Sequence, residues 1–217
     1  ITKDYIYLLS FYILVCILII NSGERSSMVL FFIFSIVFFA SSNFINIKYA
    51  FVVISLTLLL MILIFKNNSY LFERYADQFS LYSNSGFLEN HMSLFRASFY
   101  IFLDNPIFGS GLKTFRLLCA EYSNLGCTTH PHNTYLESLS EIGIVGFSFV
   151  FSFFLFISYV LIQNFFNKKY NAQCIALLAV TFVNFFPLTT SGSFYGNWLS
   201  LLYYLPIGFL INFSKNK

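Results

Sequence analysis

Charge is what this chain has least of. Asp, Glu, Lys and Arg make up 10% of its 217 residues, too few to solvate a soluble domain of that length, so the composition points to an integral membrane protein. The basic residues are scattered, without the Lys/Arg run that grips a phosphate backbone, which excludes nucleic acid as a partner. No Asp-x-Asp pair occurs, and His130 and His132 lack a carboxylate at ligand spacing. Glu73 and Asp77 are four apart, but Arg74 between them reads as a solvated face. Neither a metal nor a cofactor is expected. Gly109-Ser110-Gly111 turns the chain, yet it follows no strand and has neither the spacing of a P-loop nor that of a dinucleotide loop. No leader with a cleavage site and no internal repeat is visible. Ile1 stands where Met would begin a chain, which suggests the C-terminal part of something longer.

What fills the chain instead is apolar: 58% hydrophobic residues, 31 of the 217 being Phe. The runs lie at 5–21, 27–42, 49–65, 142–163, 172–188 and 198–213, each near the ~20 residues that a helix needs to cross a bilayer. They are continuous rather than alternating, so they predict helices and not barrel strands. The expected fold is an all-α integral membrane protein of about six transmembrane helices, with a large periplasmic loop containing an interfacial helix. Residues 1–65 would hold the first three spans, 66–141 the loop and its motifs, and 142–217 the last three spans.

Orientation follows from lysine. Lys3, Lys48, Lys168, Lys169, Lys215 and Lys217 fall on one set of ends, against a single acid, Asp4. By the positive-inside rule those ends are cytoplasmic. The loop at 66–141 and the turns at 22–26 and 189–197 then lie outside. Arg25, Arg96, His130 and His132 would share that outer face.

The loop is too long to be a plain connector. Residues 88–103 read as an interfacial helix, with Glu89, Ser93, Arg96 and Tyr100 on one face and Met92, Phe95, Phe99 and Phe102 on another. Asp104-Asn105-Pro106 should end it. His91, close to Arg96 on this helix, reads as interfacial. Cys119 and Cys127 either close a disulfide in an oxidising periplasm or remain thiols; Cys16 and Cys174 read as small packing residues. Thr134-x-x-Glu137 has the form of a capping box opening a helix, so Glu137 reads as a cap, with a catalytic acid as the alternative. That helix start would seat a phosphate, with His132 and Asn133 just in front of it. His130 reads as orienting the turn around Pro131. Asn184 and Pro187 could kink the fifth span.

Three of these stretches together resemble the O-antigen ligase family of bacterial inner-membrane glycan transferases, which includes ligases, polymerases and protein O-oligosaccharyltransferases. His132-Asn133, then Thr134 to Ile142, then Gly143-Ile144-Val145-Gly146 is similar to that family's His-(Asn/Ser/Gln)…Gly-x-x-Gly motif. Arg96 with Pro106-Ile107-Phe108-Gly109-Ser110-Gly111 and Phe115 looks like its Arg…P-x-x-G-x-G…F pattern, and Ser22-Gly23-Glu24-Arg25-Ser26 like its Ser-Arg motif. The resemblance covers the C-terminal half of a typical member.

It implies a donor glycan on undecaprenyl pyrophosphate and an acceptor that is lipid A-core or another glycan, met among membrane lipids at the periplasmic face of the inner membrane. His132 is then the base for the acceptor, and Arg96 and Arg25 face the pyrophosphate. Asn133, His130, Gly109 and Gly111 contact substrate. O-antigen ligation is the expected reaction, with repeat-unit polymerisation as the alternative within the family. A transporter or flippase for lipid-linked sugars is the alternative from another class, but it should carry its polar groups within the spans. A purely structural subunit would leave the His132–Gly146 spacing unexplained.

Overall fold

The computed structural model describes residues 3–41, 47–84, 87–123, 126–188 and 191–215. Ile1, Lys217 and the side chains of Asp77 and Glu89, which entered the sequence reading, lie outside the described residues. Among them every regular element is helical: α1 (Lys3–Ser22), α2 (Arg25–Ser41), α3 (Ile47–Asn67), α4 (Ser69–Asn84), α5 (Phe87–Asp104), α6 (Phe115–Tyr122), α7 (Thr134–Asn167), α8 (Ala172–Asn184) and α9 (Asn197–Lys215). A helix covers each of the six apolar runs. By length and apolarity one of them, Thr134–Asn167, is sufficient to cross a membrane. Phe51–Asn67 and Ser69–Ala76 would make a second only as one span bent by 106°. Leu9–Ser22, Arg25–Ser41 and Ala172–Asn184 are apolar but shorter.

The stretch read as one loop is largely helix. Asn68 breaks α3 from α4: its Oδ1 accepts from Leu71 N and its carbonyl from Phe72 N, so the new helix starts in a new direction. The interfacial helix expected at 88–103 is α5, ended where Pro106 requires. Leu94, Ala97 and Ile101 of α5 bury a small core against Phe115 and Cys119 of α6. Neither α4 nor α6 was expected: α4 lacks a long apolar run and α6 has only 8 residues.

The bundle has two distinct ends. Phe38 and Phe39 of α2 pack on Ile157 and Leu161 of α7 and on Ile175, Leu178 and Ala179 of α8. At the closing end, Asn164 Nδ2 donates to Ser41 O at 2.8 Å and Lys168 Nζ donates to Ala40 O at 2.6 Å. Helices α2 and α7 therefore run the same way, and α8 returns between them, begun by Asn171 as its N-cap. The α1–α2 turn with Arg25, the start of α7 and the chain after α8 all sit at the opposite end. Helix α8 stops at Asn184, so Asn184 and Pro187 do not kink a continuing helix; Pro187 lies in the connection to α9.

Candidate active site

The two glycine motifs are one joint. Gly143 adopts φ 65°, ψ −166° inside α7 and interrupts its hydrogen-bond ladder. The groups set free at that break are taken up by the chain after α5. Ile144 N donates to Pro106 O (2.9 Å) and Val145 N to Ile107 O (3.3 Å), while Ser110 N donates to Ser140 O and Gly111 N to Glu141 O, both at 2.9 Å. Peptide groups approach so closely that a Cβ on Gly109 would lie 2.3 Å from Glu141 C, and one on Gly143 would lie 2.4 Å from Ile107 O. Only glycine fits either position. Gly109 and Gly111 are packing and turn residues of this joint.

Glu141 completes it from the side. Its buried carboxylate accepts from Lys113 N (2.7 Å) and Phe115 N (3.3 Å), filling the N-terminus of α6. Burial raises its pKa, and the two N–H groups with Lys113 and Arg116 oppose that rise.

The head of α7 differs from the capping box expected there. Asn133 is the N-cap, with Oδ1 accepting from Tyr135 N and Leu136 N, and its Nδ2 donates to Pro187 O at 2.9 Å. The seat expected for a phosphate is thus occupied by the chain's own side chain, and Asn133 uses both amide atoms to hold α7 to the α8–α9 connection. Glu137 does not cap. It is 2% exposed and reaches that connection, accepting from Ser193 Oγ (2.5 Å) and Phe194 N (2.7 Å). Burial pushes its pKa up to about 7, against the lowering by these two hydrogen bonds. Thr134 Oγ1 donates to Ser191 Oγ (3.0 Å), Ser138 Oγ bonds Tyr195 Oη (3.0 Å), and Tyr135 Oη donates to Phe185 O (2.6 Å).

His132 is held in front of this framework. It takes φ 57°, the left-handed region that a non-glycine residue enters at a cost of about 1 kcal/mol or more. Its carbonyl accepts from Ser191 N at 2.9 Å, which pins the strained peptide. Around its ring stand two others, His130 at 4.4 Å and His91 at 5.5 Å between centroids, both edge-on. Burial lowers the pKa of His132, and the charges of His130 and His91 lower it further. Burial lowers His130 and His91 too, with the Ser191 backbone opposing it at His130. His130 is fixed by a 2.9 Å hydrogen bond between its Nδ1 and Thr129 Oγ1. A disulfide, Cys119–Cys127, ties α6 to the segment leading into this turn.

The arginines stand on another face or another element. Arg96 is exposed on α5, five residues and roughly 140° round the helix from His91. Arg25 is half-buried at the first turn of α2, at the same end of the bundle. Sequence reading gave four residues another role or none. His91 meets His132 across 41 positions, which no local spacing reveals. Glu137 and Glu141 fasten elements far away in the chain, and the signal was two acids at the head of a helix that turns apolar beyond them. Arg74, read as a solvated face, lies over Gly23 beside Arg25, with Nε 2.5 Å from where a Cβ on that glycine would be.

A family model described as O-antigen ligase matches residues 10–151, a span that takes in Arg25, Arg96, His132 and the Gly143–Gly146 pair. No curated protein and no solved structure matches the chain. The matched span is well over half of the sequence and carries the imidazole cluster and the glycine joint: the chain belongs to the O-antigen ligase family, a membrane-associated family of glycan-transferring enzymes of ligase or polymerase type.

Proposed function

We propose that this chain transfers an oligo- or polysaccharide from undecaprenyl pyrophosphate to an acceptor hydroxyl at the periplasmic face of the bacterial inner membrane, O-antigen ligation to lipid A-core being its reaction. The observation that carries the reading is His132: a strained, hydrogen-bonded residue whose imidazole is kept neutral near pH 7 by burial and by two neighbouring rings.

The chemistry asks for a base and for compensation of charge. The acceptor oxygen attacks the anomeric carbon of the donor sugar and forms the new C–O bond as the bond to pyrophosphate breaks. Its proton passes to neutral His132, and the bonding electron pair leaves on the pyrophosphate oxygen. Arg96 and Arg25 compensate that charge; guanidinium groups stay protonated and fork onto phosphate oxygens. His130 and Asn133 hold His132 and the head of α7 in position, with Gly109 and Gly111 at the adjoining edge of the site. Two cations replace a metal in this scheme, so transfer proceeds without one.

Membranes supplied with polyprenyl-pyrophosphate-linked glycan and lipid A-core provide the test. Capped lipopolysaccharide is the expected product, whereas longer lipid-linked chains would identify a polymerase and no new covalent product a transporter. His132→Ala should lower transfer by about 100-fold or more at unchanged membrane insertion, and a chelator should leave the wild-type rate unaltered. An active His132→Ala protein removes the proposed base.

A further inference from the structure

His91 has no part in that scheme, yet it touches the base. It heads the inward stripe of α5, continued by the buried Leu94, Ser98 and Ile101 at spacings of three and four. Packing of that stripe, rather than any local turn, delivers the imidazole to His132, and Phe95 stands beside it at 6.4 Å between centroids. The His132 ring is therefore bounded by His130 from its own turn and by His91 from a separate element, each meeting it edge-on. Few other titratable groups face it. Glu137 of α7 is turned away onto Ser193 and Phe194, and the α8–α9 connection contributes the backbone of Ser191. Arg96 of α5 is exposed on another face.

We propose that His91 is a positioning residue for the base: its ring fixes the plane of His132 and competes with it for a proton, so that His132 stays free to accept one from the acceptor hydroxyl. The inference rests on His132 being that base. An aromatic edge at this distance restricts ring rotation, and a cation in either ring opposes a second in the other.

The test measures kcat, KM for the donor and the pH profile of the full chain in its membranes, with undecaprenyl-pyrophosphate-linked glycan as donor and lipid A-core as acceptor. His91→Ala should lower kcat about tenfold to hundredfold, the cost of a loosened catalytic group, with donor KM within about twofold. His91→Phe keeps the ring edge but cannot hold a proton. It should recover most of the rate at pH 8, with its acid limb displaced to higher pH, because His132 then becomes protonated more readily. An unmoved acid limb in His91→Phe, or a His91→Ala kcat within about twofold of wild type, overturns the proposal. The two readings fail separately. An active His132→Ala protein removes the base itself, whereas an inactive one beside a wild-type profile for His91→Phe removes only His91.

Discussion

On either side of Gly143, α7 is made of different materials, and each behaves contrary to habit in water. Before the glycine the helix is polar and shut away: Thr134, Glu137, Ser138, Ser140 and Glu141 are all buried. After it the helix is apolar and turned outward, with Phe149, Phe156 and Phe166 exposed and only 17% of its apolar window covered by protein. A soluble protein would reverse both. The pattern suits a helix that enters lipid just beyond its bend, where unpaired polar groups are costly and apolar side chains need no cover. Every carboxylate in the polar half is accordingly met by hydroxyl or N–H donors from the 110–115 or 191–195 segments. The contrast teaches that the bend divides the helix: one half is bonded into the protein and the other presents an uncovered apolar surface.

The most damaging way to break this division is to fill the joint. Gly143→Ala would drive a methyl group into the Ile107 carbonyl at a backbone angle that alanine disfavours. We expect a loss of about 4 kcal/mol or more, seen as protease sensitivity and a collapsed thermal transition in detergent. A polar residue in the outward half tests the anchor. Phe156→Asp should cost about 3 kcal/mol of insertion, read as a fall in the membrane-integrated fraction; unchanged integration would put that half in water.

The smallest effect is a pH dependence in the polar half. Glu137 has a folded pKa raised from 4.5 to about 7, so the folded state binds a proton more tightly than the unfolded one. Its contribution to stability is then greatest below pH 4.5 and declines as pH rises through 7. Between pH 5 and 7.5 this should cost about 2 kcal/mol, measured as a falling Tm. Glu137→Gln should flatten the slope, and a Tm rising with pH over that range would show the opposite sign.

Long apolar runs and the Asp-Asn-Pro signal after α5 were legible because they are local: a helix declares itself by composition and stops before proline. The His132-to-Gly146 spacing was legible too, since it spans one helix start and one bend. What stayed hidden lies in pairings at a distance. Nothing near Glu137 says that its carboxylate belongs to Phe194 rather than to its own helix end, and a capping box was the simplest local account. Gly109 and Gly143 each look like an isolated turn until their backbones are brought together. The same holds for His91, whose partner arrives from a turn 41 positions away. Cys119 and Cys127 left two outcomes open, and the structure has the disulfide.

The joint between Pro106–Gly111 and α7 is built from peptide groups, and the side chains flanking it, Ile107, Phe108, Ile144 and Val145, all face outward. Its shape is thus indifferent to what those four residues are. A chain of this architecture can redraw that rim while the bend beneath keeps its dimensions. Two missing methyl groups, rather than any catalytic side chain, would then set how far such a scaffold can be repurposed.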